Sequence, residues 1–225
     1  MINLEKLSMN MAKISEQRHL RAIRDGIVST LPLIIIGSIF LIIAIPPFPK
    51  DWAISILAKK HAAQILLPFR MTMFIMGLYA VIGIGYSLAK SYKLDGITGA
   101  ILSVCAFLLT LVPKVINPIE TITQTVGGKA VQVVVAEGTK GSQFLQEDLG
   151  YVMQMSNLGS AGLFVGIIVA IFAVEVYRFT TKTGFRIKMP DAVPESVARS
   201  FEALTPAAII IFTLTTITYW LKIDL

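Results

Sequence analysis

Apolar and polar residues fall along this chain in long blocks rather than alternating positions. The stretch from Ile27 to Ile45 holds no charged residue, and a block of cations at Arg18, Arg21 and Arg24 leads into it. About 20 apolar residues at ~1.5 Å each cross a ~30 Å hydrocarbon core, so this run predicts a first transmembrane helix. Similar runs follow at 71–89, 97–116, 158–177 and 207–221. The last is short for a span, about 22 Å at the helical rise. The pattern predicts an all-α polytopic membrane protein of about five transmembrane helices, with amphipathic surface helices and one extracytoplasmic β-hairpin.

The segments between the runs divide the chain. Residues 1–26 place Leu4, Leu7, Met11 and Ile14 at helical spacing between charges, which predicts a cytoplasmic amphipathic N-terminus. A solvated helix packed on a neighbouring subunit or domain fits that pattern equally. Residues 27–116 hold spans one to three. Pro32 predicts a kink in the first, and Gly37-Ser38 a close helix approach. Pro46, Pro47 and Pro49 stop it, Trp52 suits an interfacial anchor, and Trp52 to Leu67 suits a short surface helix. Gly77, Gly83 and Gly85 in the second span follow no strand and read as packing points, not a nucleotide loop.

Residues 117–157 change period. TITQTV, Gly127-Gly128 and KAVQVVV form the alternating pattern of a hairpin around a two-residue turn. An open two-stranded sheet cannot span a bilayer, so this segment is expected outside the cell as a cap over the helices. Its Glu120, Glu137, Glu147 and Asp148 read as a solvated face. Residues 158–177 form span four. Residues 178–206 are a cytoplasmic basic linker with an amphipathic helix, where Val197, Phe201 and Leu204 share a stripe. Residues 207–225 are span five with a truncated end.

Charge orients this arrangement. Of the 20 Lys and Arg, five, two and five fall in the segments read as inner, and four, three and one in those read as outer. The bias predicts an N-terminus in the cytoplasm. A hydrophobic fraction of 55%, a mean hydropathy of +0.73 and 15% charged residues agree with a membrane chain. The net charge of +6 therefore marks topology and contact with anionic membrane lipid, not nucleic acid. The first run is too long for a signal h-region and lacks an A-x-A site, so it reads as retained.

Candidate chemistry is sparse. One Cys and two His leave no Cys/His metal cluster and no disulfide within the chain, and no cofactor is predicted. Cys105 has apolar sequence neighbours and reads as a packing residue. Gly162, Gly166 and Ala170, four apart, predict a tight helix-packing or dimer-interface stripe. Glu175 is the one acidic residue in the apolar runs and the intramembrane ionisable candidate. Arg178, three residues on, offers a local ion pair, the less costly account. With no nucleophile–base pair, metal set or P-loop, an enzyme reading fits poorly.

The phrases HLRAIRDGIVSTLPLIIIGSIFL, GLFVGIIVAIFAVEVYRF and IKMPDAVPESVARSFEALTP resemble the permease component IIC of bacterial phosphotransferase systems. The nearest branch is that for lactose, cellobiose, chitobiose and lichenan, and the match corresponds to the N-terminal half only. The resemblance implies uptake of a β-linked disaccharide, phosphorylation by a partner IIB with phosphate from IIA, and a homodimer whose interface lies in this half. The family's sugar-holding His and Glu belong to the other half, so the resemblance assigns no substrate-binding residue here. Neither His19 nor His61 stands for that His. A chain of this extent is expected to be inactive alone. Two other readings remain: a scaffold subunit pairing with a separately encoded second half, and a small ion-coupled carrier using Glu175.

Overall fold

A computed structural model describes residues 16–49, 51–116, 119–126, 129–135, 143–146, 150–187, 190 and 193–220. Most of the expected N-terminal amphipathic helix, the Gly127-Gly128 turn, and Glu137, Glu147 and Asp148 lie outside the described residues. The helices are α1 Arg18–Val28, α2 Leu31–Ala44, α3 Ala53–Lys60, α4 Ala62–Ile65, α5 Leu67–Met73, α6 Met76–Ser91 and α7 Gly96–Thr110. After the strands come α8 Met155–Leu158, α9 Leu163–Thr183, α10 Glu195–Glu202 and α11 Leu204–Thr215, which continues as a π-helical turn over Thr216–Trp220.

Helix α6 is the hub, because α1, α7 and α9 all pack along it. Glycines make this possible by letting backbones approach. A Cβ on Gly83 would lie 2.8 Å from the Gly26 Cα on α1, and one on Gly85 would lie 2.8 Å from the Gly99 carbonyl on α7. The core formed around this hub joins Val81 and Ile84 to Leu102, Ala106, Phe107, Val169, Ala170, Ala173, Ile210 and Leu214. Helix α2 packs instead along α5, with α3 and α4 beside it. It turns Ile35, Ile36, Ile39, Ile42 and Ile43 outward.

Among the described residues, four helical stretches are long and apolar enough to cross a membrane: Arg18–Ala44, Ala62–Ser91, Leu163–Thr183 and Val197–Trp220. Three of them are interrupted: the first at Ser29–Thr30 ahead of Pro32, the second at Leu66 and again at Phe74–Ile75, and the fourth at Ala203. The expected third span differs. Its helix ends at Thr110 and not Ile116, because Leu111 leaves the helical region (ψ 97°) and Pro113 follows. At 15 residues α7 is about 22 Å long. The fourth span is offset from the expected 158–177: α9 starts at Leu163, after the turn at Gly159–Gly162, and runs on to Thr183. Gly184, in the left-handed region at φ 72°, ends it.

The turn between α6 and α7 is a Schellman motif with an unusual residue in its left-handed position. Lys93 has φ 61°. The Leu94 N–H donates to the Ala89 carbonyl at 3.0 Å and the Lys93 N–H to that of Lys90 at 2.9 Å. Asp95 then caps α7, accepting from the Thr98 backbone N–H at 2.7 Å and its hydroxyl at 2.8 Å.

Residues 112–154 form a separate unit. Strand β1 Lys114–Ile116 pairs antiparallel with β5 Gly150–Val152. Strand β2 Ile119–Val126 lies between β3 Lys129–Val135 and β4 Gln143–Gln146. The β2–β3 register runs from Glu120 opposite Val135 to Val126 opposite Lys129. Thr, Ile and Val dominate both strands, as β-branched side chains suit a pleated surface.

Candidate functional site

Helix α9 carries the two groups of residues that the sequence singles out, on different stretches. Near its start, Gly162, Gly166 and Ala170 are all buried. A Cβ on Gly166 would lie 2.7 Å from the Val81 Cγ2 and 3.4 Å from the Phe107 Cε2, so this face is pressed against α6 and α7 of the same chain. The Ser103 hydroxyl donates to the Gly99 carbonyl at 2.8 Å, with the Ala170 carbonyl 3.5 Å away. The stripe therefore packs within the chain.

Toward the other end of α9, Glu175 meets donors from three helical regions. Arg178, one turn on, donates from Nη1 to Oε2 at 3.1 Å. The Tyr92 hydroxyl, at the end of α6, donates to Oε1 at 2.5 Å. His19, in the first turn of α1, brings Nε2 within 2.9 Å of the same oxygen. A carboxylate only accepts, so His19 Nε2 carries the proton in this contact. Glu175 and Arg178 are the expected pair; His19 and Tyr92 join them from elsewhere in the chain.

Cations surround the Tyr92 ring. The Arg178 guanidinium lies 4.2 Å from its centroid and that of Arg18 5.3 Å, with the His19 ring edge-on at 6.3 Å. Burial first, then the hydrogen bond and charge of Glu175, push the Tyr92 phenol above its ordinary range, while Arg178 and Arg18 pull it back. The phenol therefore stays protonated and serves as a donor. This geometry ties the start of α1 to α6 and α9.

Two further ion pairs hold the linker helix α10. Arg199 donates to Asp95 at 3.2 Å, joining α10 to the cap of α7. Arg186, after α9, donates to Glu202 at 2.5 Å. The backbone N–H of Thr98 above all holds the Asp95 carboxyl below its ordinary range, opposed by burial and helped by the Thr98 hydroxyl and Arg199. Cys105 is a free, half-buried thiol, and His61 Nδ1 lies 3.1 Å from the Gln64 side-chain oxygen.

The chain as a whole is similar to known proteins. The family model described as "Phosphotransferase system, EIIC" matches residues 24–223. The cellobiose-specific EIIC component of Geobacillus stearothermophilus is 38% identical over 204 residues, covering 88% of this chain and 40% of that protein. The lichenan permease IIC component of Bacillus subtilis is 36% identical over 210 residues, covering 92% and 42%. The crystal structure of ChbC, the IIC component of the N,N'-diacetylchitobiose-specific phosphotransferase system, superposes with a TM-score of 0.74 at 39% identity, covering 97% of this chain and 46% of that one. The chain thus spans 40–46% of the length of these relatives.

Proposed function

The chain belongs to the phosphotransferase-system EIIC family, and from that premise we propose that it is the N-terminal half of a permease importing a β-linked disaccharide such as cellobiose or chitobiose. In this reading it is a multi-pass protein of the bacterial inner membrane. Its N-terminus is cytoplasmic, α7 serves as a short additional span, and residues 112–154 lie outside the cell. It supplies scaffold and dimer contact, while the sugar is held by the other half of the permease and phosphorylated by IIB with phosphate from IIA.

The single observation that carries this is the match to ChbC across 97% of the chain but 46% of that structure. The site supports the same reading. Glu175 accepts from Arg178, Tyr92 and His19, which suits an anchor between helices better than an ion-coupling carboxylate.

Reconstitution tests the proposal. Liposomes holding this chain with IIA, IIB and a phosphate donor are expected to accumulate no phosphorylated cellobiose or chitobiose. Co-reconstitution with the second half of a cellobiose relative is expected to restore accumulation. Uptake by this chain alone would overturn the reading.

A further inference from the structure

A groove of about 440 Å³ runs between the first turns of α7 and the elbow where α10 passes into α11. Ile97, Ile101 and Leu102 line one wall and Ala203, Leu204 and Ala207 the other. Ile97 is 64% exposed and Ile101 62%, an apolar opening of the kind that soluble surfaces avoid. In a membrane chain such an opening suits hydrocarbon. Helix α7, about 22 Å long, falls short of a ~30 Å core, a mismatch that membranes meet by local thinning, snorkelling side chains or association.

The groove ends in charge of both signs. Arg199 Nη1 and Asp95 Oδ1 lie 3.2 Å apart at its rim, with Ser200 beside them. The Arg199 side chain is 48% exposed, so its guanidinium is within reach of a bound headgroup. An apolar slot closed by a cation and an anion complements an amphiphile with an apolar tail, an anionic phosphate and a cationic amine. A primary ammonium offers three donors to a carboxylate such as Asp95, whereas a quaternary ammonium offers none and a glycerol headgroup carries no positive charge.

We propose that this groove is a binding site for phosphatidylethanolamine. One acyl chain lies along Ile97, Ile101, Leu204 and Ala207; the phosphate meets Arg199 and Ser200; the ammonium meets Asp95. The site rests on the membrane reading and is independent of sugar transport, so a failed uptake assay leaves it standing.

Native mass spectrometry of the detergent-purified chain tests it, using phosphatidylethanolamine, phosphatidylcholine and phosphatidylglycerol of identical acyl chains in equal amounts. Retention of phosphatidylethanolamine is expected to exceed that of the other two roughly fivefold, the scale of one charge-assisted hydrogen bond in competition with water. Asp95→Ser, which keeps a capping oxygen, is expected to abolish that preference, and Arg199→Gln, which removes the phosphate contact common to all three lipids, is expected to lower the retention of every one of them. Ala203→Trp, or Ala207→Phe where the first does not fold, fills the groove and is expected to remove bound lipid. Equal retention of the ethanolamine and choline lipids, preference for phosphatidylglycerol, or a preference that survives Asp95→Ser or the groove-filling change would each overturn the proposal.

Discussion

Glu175 is held from three directions, and its donors differ in worth. The Arg178 contact is an i,i+3 pair with side chains 41% and 34% exposed, the kind that contributes only a few tenths of a kcal/mol. The Tyr92 hydroxyl and His19 reach across from other helices, so they hold tertiary structure rather than one turn of α9. Glu175→Gln keeps the shape but leaves Arg178 without its local counter-charge. It is expected to cost about 1 kcal/mol, lowering the thermal midpoint in detergent by a few degrees. Tyr92→Phe is expected to cost a similar amount, and the double variant less than their sum, since both remove one shared contact. Full additivity would show that the two do not act through each other. The spacing of Glu175 and Arg178 made their pairing legible in the sequence. His19 and Tyr92 were not, because they stand 156 and 83 residues away from Glu175. A hint was available: both end up at the inner side of the expected spans, level with the inner end of the fourth.

Among the helices, hydropathy located the apolar runs but not their ends. The run from Ile97 to Ile116 looks continuous to a composition window, yet the chain turns extended at Leu111, and Pro113, which disfavours helix at Val112, keeps it from resuming. Likewise the first turns of the expected fourth span are lost to the backbone turn at Gly159–Gly162, which leaves α9 starting at Leu163. Small residues were more informative than hydropathy. The stripe at Gly162, Gly166 and Ala170 signalled close packing, although the pattern could not say against which helix. Gly166→Leu is expected to drive a side chain into Val81 and Phe107 and destabilise the fold by about 2–3 kcal/mol, measured as a lowered thermal midpoint. An unchanged midpoint would mean that α9 does not press on α6 and α7 as described.

For the molecule as a whole, the balance of cations predicts an orientation that labelling can read. With Cys105 replaced by Ser, a cysteine introduced at Glu120 is expected to react with an impermeant thiol reagent added to intact cells, and one at Lys182 only after lysis. The reverse pattern would invert every inner and outer assignment. The class of the molecule was plain from its blocks of apolar residues. Its packing around α6 was not, since that depends on which glycines face one another across helices.

The tie between His19 and Glu175 has a consequence for how the protein is made. The two residues are 156 positions apart, so at about 5–20 residues per second the ribosome needs several seconds to deliver the second after the first. During that interval the leading helix is already at the membrane while its anchoring carboxylate has not yet been translated. In the proposed topology its orientation then rests on the five cations ahead of the first span, Arg18, Arg21 and Arg24 nearest to it. One of them, Arg18, set against the ring of Tyr92, is later part of the finished joint.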